Sequence, residues 1–135
     1  PSITIRGWQR FAAILESPNS NLNSYAITDN GIDDEVVAVF ANTLTNNHTL
    51  RTLELDINPS ITAKGWKAFS NLLCDTTSVN ATLLSNHTLM NMGDEVSENE
   101  IVRPLLRLNE RRNKKEVATI KILKSHSDFD MMPFF

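Results

Sequence analysis

An internal repeat constrains the fold of this chain more than any other feature of its sequence. The segment PSITIRGWQRFAAIL begins at Pro1, and the closely similar PSITAKGWKAFSNLL begins at Pro59, 58 positions further on. A weaker copy, GIDDEVVAVFANTL, begins at Gly31, so the repeating unit has about 28–30 residues. A unit this short cannot bury its own apolar face. The repeat therefore predicts a fold in which successive units stack on one another.

Each unit combines a strand motif with a helix motif. The segments NSNLNSYAITDN (19–30) and NHTLRTLELDIN (47–58) share the pattern L-x-x-L-x-L-x-x-N. Alternate residues of a strand face the same side, so Leu53 and Leu55 are predicted to point inward. Around Trp8, Val36 and Trp66, apolar residues recur at the i, i+3, i+4, i+7 spacing of an amphipathic helix. Because the aromatic residues recur at the same repeat position, we assign them to the core and not to a ligand pocket.

These motifs resemble those of leucine-rich-repeat proteins of the ribonuclease-inhibitor type, over residues 1–93. The resemblance implies an α/β solenoid with short parallel strands on the concave side and helices on the convex side. Since Pro1 matches Pro59, which directly follows a strand motif, the chain is expected to start in mid-repeat. The third strand motif is delayed, which places an insertion near residues 74–84. Residues 94–135 are predicted to form a helical C-terminal cap that ends in an apolar tail.

The resemblance implies a protein–protein interaction or scaffold module that binds another protein on its concave face and has no catalytic activity. The sequence does not identify this partner. Outward-facing strand positions are mildly acidic, which suits a basic or polar partner. The predicted partner-binding residues are Ser24, Ala26, Thr28, Thr52, Glu54 and Asp56.

Positive charge in the cap gives an alternative function. From Arg103 to Lys124 the chain has eight Lys and Arg residues against two Glu residues. These cap helices (103–124) could belong to a regulatory repeat array and contact a polyanion, an anionic lipid or another subunit. No aromatic residue interrupts the basic run, which argues against nucleic acid. The candidate basic surface comprises Arg103, Arg107, Arg111, Lys114 and Lys121.

Composition and motifs argue against several other classes of protein. The net charge is −3, and the single Cys74 excludes a disulfide framework and a multi-cysteine zinc site. No phosphate-binding loop, dinucleotide fingerprint or hydrolase elbow occurs, so we expect no cofactor, no metal and no enzyme. A thiol enzyme would need Cys74 beside His87 and a carboxylate. Because no apolar run approaches about 18 residues, a membrane span is not expected.

Three N-x-T sequons, at Asn47, Asn80 and Asn86, bear on location. Two of them coincide with a repeat position just before a strand motif, which accounts for their presence without glycosylation. We therefore favour an intracellular, cytoplasmic location, with secretion left open by the sequons. The apolar tail 129–135 is expected to dock on the cap or on another subunit, because five large apolar side chains in so short a segment would be costly in water.

Overall fold

The computed structural model describes residues 4–16, 22–26, 31–56, 58–94 and 99–126. Over these ranges the chain forms six helices and one sheet of two three-residue strands. No helix in the described part of the chain is both long and apolar enough to cross a bilayer. In chain order the elements are α1 (Ile5–Glu16), β1 (Ser24–Ala26), α2 (Asp34–Leu44), β2 (Thr52–Glu54), α3 (Ala63–Leu73), α4 (Val79–Leu83), α5 (Arg103–Asn109) and α6 (Lys114–Ser125).

Side-chain caps fix the starts of the first three helices. The Asp33 carboxylate accepts a hydrogen bond from the backbone N–H of Val36, and the Thr62 hydroxyl accepts one from Lys64. Thr4 plays the same part before α1, where its hydroxyl oxygen lies 3.2 Å from the N–H of Gly7. Each cap satisfies a backbone donor that the first turn of a helix leaves without a partner.

The two strands are parallel, as their repetition in the sequence predicts. Ser24 pairs with Thr52 and Ala26 with Glu54. On the other side of β2, Thr52 forms an isolated parallel bridge to Asn91, and the N–H of Leu53 donates to the carbonyl of Asn91 at 2.9 Å. The segment around Asn91 therefore lies beside β2 and extends the exposed face of the sheet.

The predicted α/β solenoid is nevertheless wrong, because a continuing series of strand–helix units is not formed. The third strand motif gives only the single bridge at Asn91, and Gly93, with φ +100°, then turns the chain away. The insertion at 74–84 contains α4, whose first turn is capped by the Ser78 hydroxyl. In the described ranges the architecture is thus a mainly helical domain with one small parallel sheet.

The core lies between the sheet and helices α1 to α3. Trp8, Phe40 and Phe69 are almost fully buried, and the rings of Trp8 and Phe40 meet edge to face with centroids 5.6 Å apart. Leu53 is fully buried, as the strand alternation predicts. Trp66 was expected to be buried as well, but it is only half-buried against the edge of this core.

Three buried asparagine side chains connect consecutive turns of the chain. The Asn47 amide donates to the carbonyl of Leu15, and the Asn86 amide donates to the carbonyls of Leu44 and Asn47, at 2.7–2.9 Å. The Asn109 amide, at the end of α5, donates in turn to the carbonyl of Asn86 at 3.1 Å. These bonds satisfy buried backbone carbonyls and attach α5 to the rest of the domain.

Candidate functional site

A groove runs between the segment beside β2 and the helices α5 and α6. It consists of two hollows of about 420 and 660 Å³, which adjoin because Met90 and Glu110 line both. We call it the basic groove. Its other lining residues are Asn91, Asp94, Arg103, Leu106 and Arg107 in the smaller hollow, and His48, Arg51, Thr88, Arg111, Arg112 and Lys114 in the larger one.

Separate parts of the chain supply the positive charges of the basic groove. Arg103 and Arg107 are one helical turn apart on α5, so they share a face of that helix. Lys114 is the first residue of α6. Arg51 comes from the opposite wall, directly before β2.

Lysine and arginine outnumber acidic residues among the lining residues by six to two. Arg111 has a carboxylate partner, since its guanidinium lies 2.5 Å from a Glu116 oxygen. Within the described ranges, the side chains of Arg51 and Arg112 form no hydrogen bond or ion pair with the protein. The larger hollow therefore contains positive charge that the described part of the chain does not neutralise.

The surroundings of Lys114 show that the positive charges of the larger hollow repel one another. The Lys114 ammonium group donates to the carbonyl of Asn109 at 2.6 Å, which holds it at the wall of the groove. Partial burial and, second, the nearby positive charge of Arg51 lower the pKa of Lys114 from its ordinary value. An anion between these side chains would replace this repulsion with attraction.

Two apolar side chains, Leu106 and Met90, contribute to the lining of the basic groove. Leu106, a residue of α5, is buried. Met90 is half-buried where the two hollows meet. Methionine is flexible and polarisable, and it adapts to ligands of different shape. The groove therefore combines charged walls with one partly exposed apolar side chain, that of Met90.

Four of the five residues predicted for the basic surface, namely Arg103, Arg107, Arg111 and Lys114, line this groove. The prediction was wrong for Lys121, which is 1% exposed. Its ammonium group points into the protein and donates to the carbonyl of Leu73 at 2.6 Å, to that of Asn86 at 3.2 Å and to Nδ1 of His87 at 2.9 Å.

The sequence held a signal for the burial of Lys121. The residue lies four positions after Val117 and directly before Ile122, both of which are buried on the inner face of α6. Burial lowers the pKa of Lys121 to about 7. The three acceptors around the ammonium group favour the charged form and offset part of that cost.

The residues predicted to bind a partner on the sheet face differ in exposure. Ser24, Ala26 and Glu54 are exposed, whereas Thr52 and Asp56 are half-buried. Thr28 lies outside the described residues. Since Thr52 bridges to Asn91, which lines the smaller hollow, this polar face borders the basic groove.

The alternation of inward and outward strand residues did not predict that Arg51 lines the basic groove. This residue occupies the same strand parity as Leu53 and Leu55, which predicts an inward side chain, yet Arg51 is exposed because it precedes the paired residues. His48 lies in the turn between α2 and β2, and no feature of the sequence places it opposite α5. Only the folding of α5 and α6 against this turn brings the two walls together.

Cys74 and His87, the pair that a thiol enzyme would need, have different polar partners. The sulfur of Cys74 lies 3.2 Å from the hydroxyl oxygen of Ser125. The ring nitrogens of His87 lie 2.9 Å from the Lys121 ammonium and 2.9 Å from the carbonyl oxygen of Leu83. In the described part of the chain, no group of three or more His, Cys, Asp or Glu side chains is arranged to hold a metal ion.

No family model matches the chain, and no curated protein matches it. The resemblance of residues 1–93 to leucine-rich-repeat proteins therefore depends on the sequence motifs alone. The basic groove is the feature from which a function can be inferred.

Proposed function

We propose that this protein is a non-catalytic binding module whose basic groove holds an acidic segment of a partner protein. The observation that supports this proposal is the convergence of six Lys and Arg side chains, from three parts of the chain, on one groove. Opposite charges attract and orient a partner, and they determine specificity and association rate more than affinity.

The groove suits a peptide segment better than a nucleic acid. A peptide supplies carboxylates for the walls and an apolar side chain that can contact the exposed part of Met90. Single-stranded nucleic acid is held largely by stacking on aromatic side chains. Among the described residues, no Phe, Tyr or Trp side chain lines either hollow.

The exposed sheet face is the second candidate for partner binding. Ser24, Ala26 and Glu54 present a polar surface beside the groove. Its acidic residue, Glu54, suits a basic partner. The two candidates therefore predict partners of opposite charge.

Fluorescence anisotropy with a labelled peptide of Asp, Glu and Leu tests the proposal. We expect binding that weakens steeply as salt is added, because the wall charges are exposed to solvent. The variants Arg107→Gln and Arg112→Gln should each weaken binding by roughly two- to fivefold, as expected for single exposed charge pairs. Arg10→Gln is the matched control, because Arg10 is exposed on α1, away from the groove.

Two results would contradict the proposal. One is binding of the acidic peptide that all three arginine variants weaken equally, which would indicate non-specific attraction. The other is preference for a Lys- and Arg-containing peptide that Glu54→Gln abolishes. That result would place the partner on the sheet face.

A further inference from the structure

The two hollows of the basic groove differ in their balance of charge. In the smaller hollow, Arg103 and Arg107 are matched by Asp94 and Glu110. Among the described residues, the larger hollow is lined by four Lys and Arg residues and only Glu110 as an acid. The excess positive charge is therefore confined to the larger hollow, where a ligand group of higher negative charge would be favoured.

Hydrogen bonds hold parts of both walls of the larger hollow in place. The N–H of Arg51 donates to the carbonyl of Asn23 at 2.9 Å, and its carbonyl accepts from Met90 at 2.9 Å. The N–H of Thr88 donates to the buried Asn86 side chain at 2.9 Å. On the other wall, Lys114 is held through its ammonium group. Because the backbone is already ordered, the entropy lost when a ligand binds is confined to the side chains.

These donors fit a phosphate group better than a carboxylate. Phosphate on a side chain bears nearly two negative charges at neutral pH and offers three acceptor oxygens, which can face donors from different directions. Arg51 and Arg112 can each present two parallel N–H groups, and Thr88 adds an uncharged hydroxyl donor. A carboxylate has one charge and two oxygens, so it would leave part of this set without a partner.

We propose, building on the peptide-binding function proposed above, that the larger hollow holds a phosphorylated serine or threonine of the partner segment. Arg51 and Arg112 bind the phosphate oxygens from opposite walls. Lys114 contributes a point charge beside them. The remainder of the acidic segment lies along α5, toward Arg107.

The experiment compares three labelled peptides of Asp, Glu and Leu that differ only at one central residue, which is Ser, Glu or phosphoserine. Wild-type protein should bind the phosphoserine peptide roughly tenfold more tightly than the Glu peptide. Arg51→Gln and Arg112→Gln should each remove most of this preference. Arg107→Gln is the matched comparison, since it should weaken all three peptides by a similar factor and leave the preference intact. Melting temperatures of the variants show that each one folds.

The outcomes separate this inference from the proposed function. If the acidic peptides bind and Arg107→Gln weakens them, but phosphoserine gives no advantage over Glu, the inference is wrong and the proposed function stands. If none of the three peptides binds, both are wrong. Inorganic phosphate should compete with the phosphoserine peptide only weakly. Inorganic phosphate that binds as tightly as that peptide would show a free anion to be the ligand and overturn the inference.

Discussion

The ammonium nitrogen of Lys121 lies 2.9 Å from Nδ1 of His87 and joins α6 to the turn that follows α4. The other ring nitrogen of His87 lies 2.9 Å from the carbonyl oxygen of Leu83, which can only accept, so it bears the proton. Nδ1 is then free to accept from Lys121. The pair therefore requires a neutral imidazole, and burial, followed by the charge of Lys121, lowers the pKa of His87 to about 4.

This pair predicts a loss of stability in acid. The pKa of a histidine is 6.5 in the unfolded chain but about 4 for folded His87, so between these values the unfolded state binds more protons. The contribution is present above pH 6.5 and is lost as the pH falls toward 4. Because the His87 side chain is half-exposed, we expect its contribution to the free energy of unfolding to be about 1 kcal/mol after allowance for solvent screening.

Urea unfolding at pH 7 and near pH 4.5 measures this effect. The wild-type protein should lose more free energy of unfolding between the two pH values than the His87→Gln variant does. His48→Gln is the matched control, since His48 occupies the same NHTL sequence but is exposed. Equal losses in the wild type and in His87→Gln would show that His87 does not contribute.

Replacement of Lys121 by methionine should destabilise the domain, although methionine preserves most of the side-chain volume. The carbonyl of Leu73 and the ring nitrogen Nδ1 of His87 would lose the Lys121 donor, and the carbonyl of Asn86 would keep only its bond from the Asn109 amide. We expect a loss of about 1–3 kcal/mol in the free energy of unfolding. Lys115→Met, on the exposed side of α6, should change it by less than about 0.5 kcal/mol. Similar values for both variants would mean that the buried ammonium group adds no stability.

The two tryptophans should differ in their contribution to stability. Trp8→Ala should cost about 3–5 kcal/mol, because Trp8 is 2% exposed and its removal leaves a cavity against Phe40. Trp66→Ala should cost about 1–2 kcal/mol, since this half-buried side chain already contacts water. Thermal or chemical unfolding compares the two variants directly. A larger loss for Trp66→Ala would contradict the core assignment.

Alanine substitutions at Gly93 and Gly31 distinguish the cost of a steric clash from the cost of backbone strain. Both glycines have positive φ, but a Cβ on Gly93 would lie 2.5 Å from a carboxylate oxygen of Asp56, whereas a Cβ on Gly31 would meet nothing within 4 Å. Gly31→Ala should therefore cost about 1 kcal/mol, from strain alone. Gly93→Ala should cost about 2 kcal/mol or more, since the Asp56 side chain must also move. If Gly31→Ala and Gly93→Ala unfold at the same denaturant concentration, the predicted difference in their stability is wrong.

Local features of the fold could be predicted from the sequence, whereas long-range ones could not. The caps Asp33 and Thr62 and the parallel pairing of the two strands follow from spacing over one repeat. The fold class was wrong because the folding of the insertion into α4 and the turn at Gly93 depend on contacts outside any single repeat. For the groove, charge density identified the arginines of α5. Arg51 was missed because its position opposite them is a product of tertiary packing.

The asparagine side chains that connect successive turns also determine how the domain should open. Asn47, Asn86 and Asn109 each donate to a carbonyl of an earlier turn, and the first two of these asparagines supply carbonyls to the next one along. Separation of any one turn thus breaks bonds that involve its neighbour. We expect native-state hydrogen exchange to report α2 and the last turn of α5 opening as one cooperative unit instead of independent fraying of α5. The wall of the groove that α5 forms would then persist for as long as the core itself.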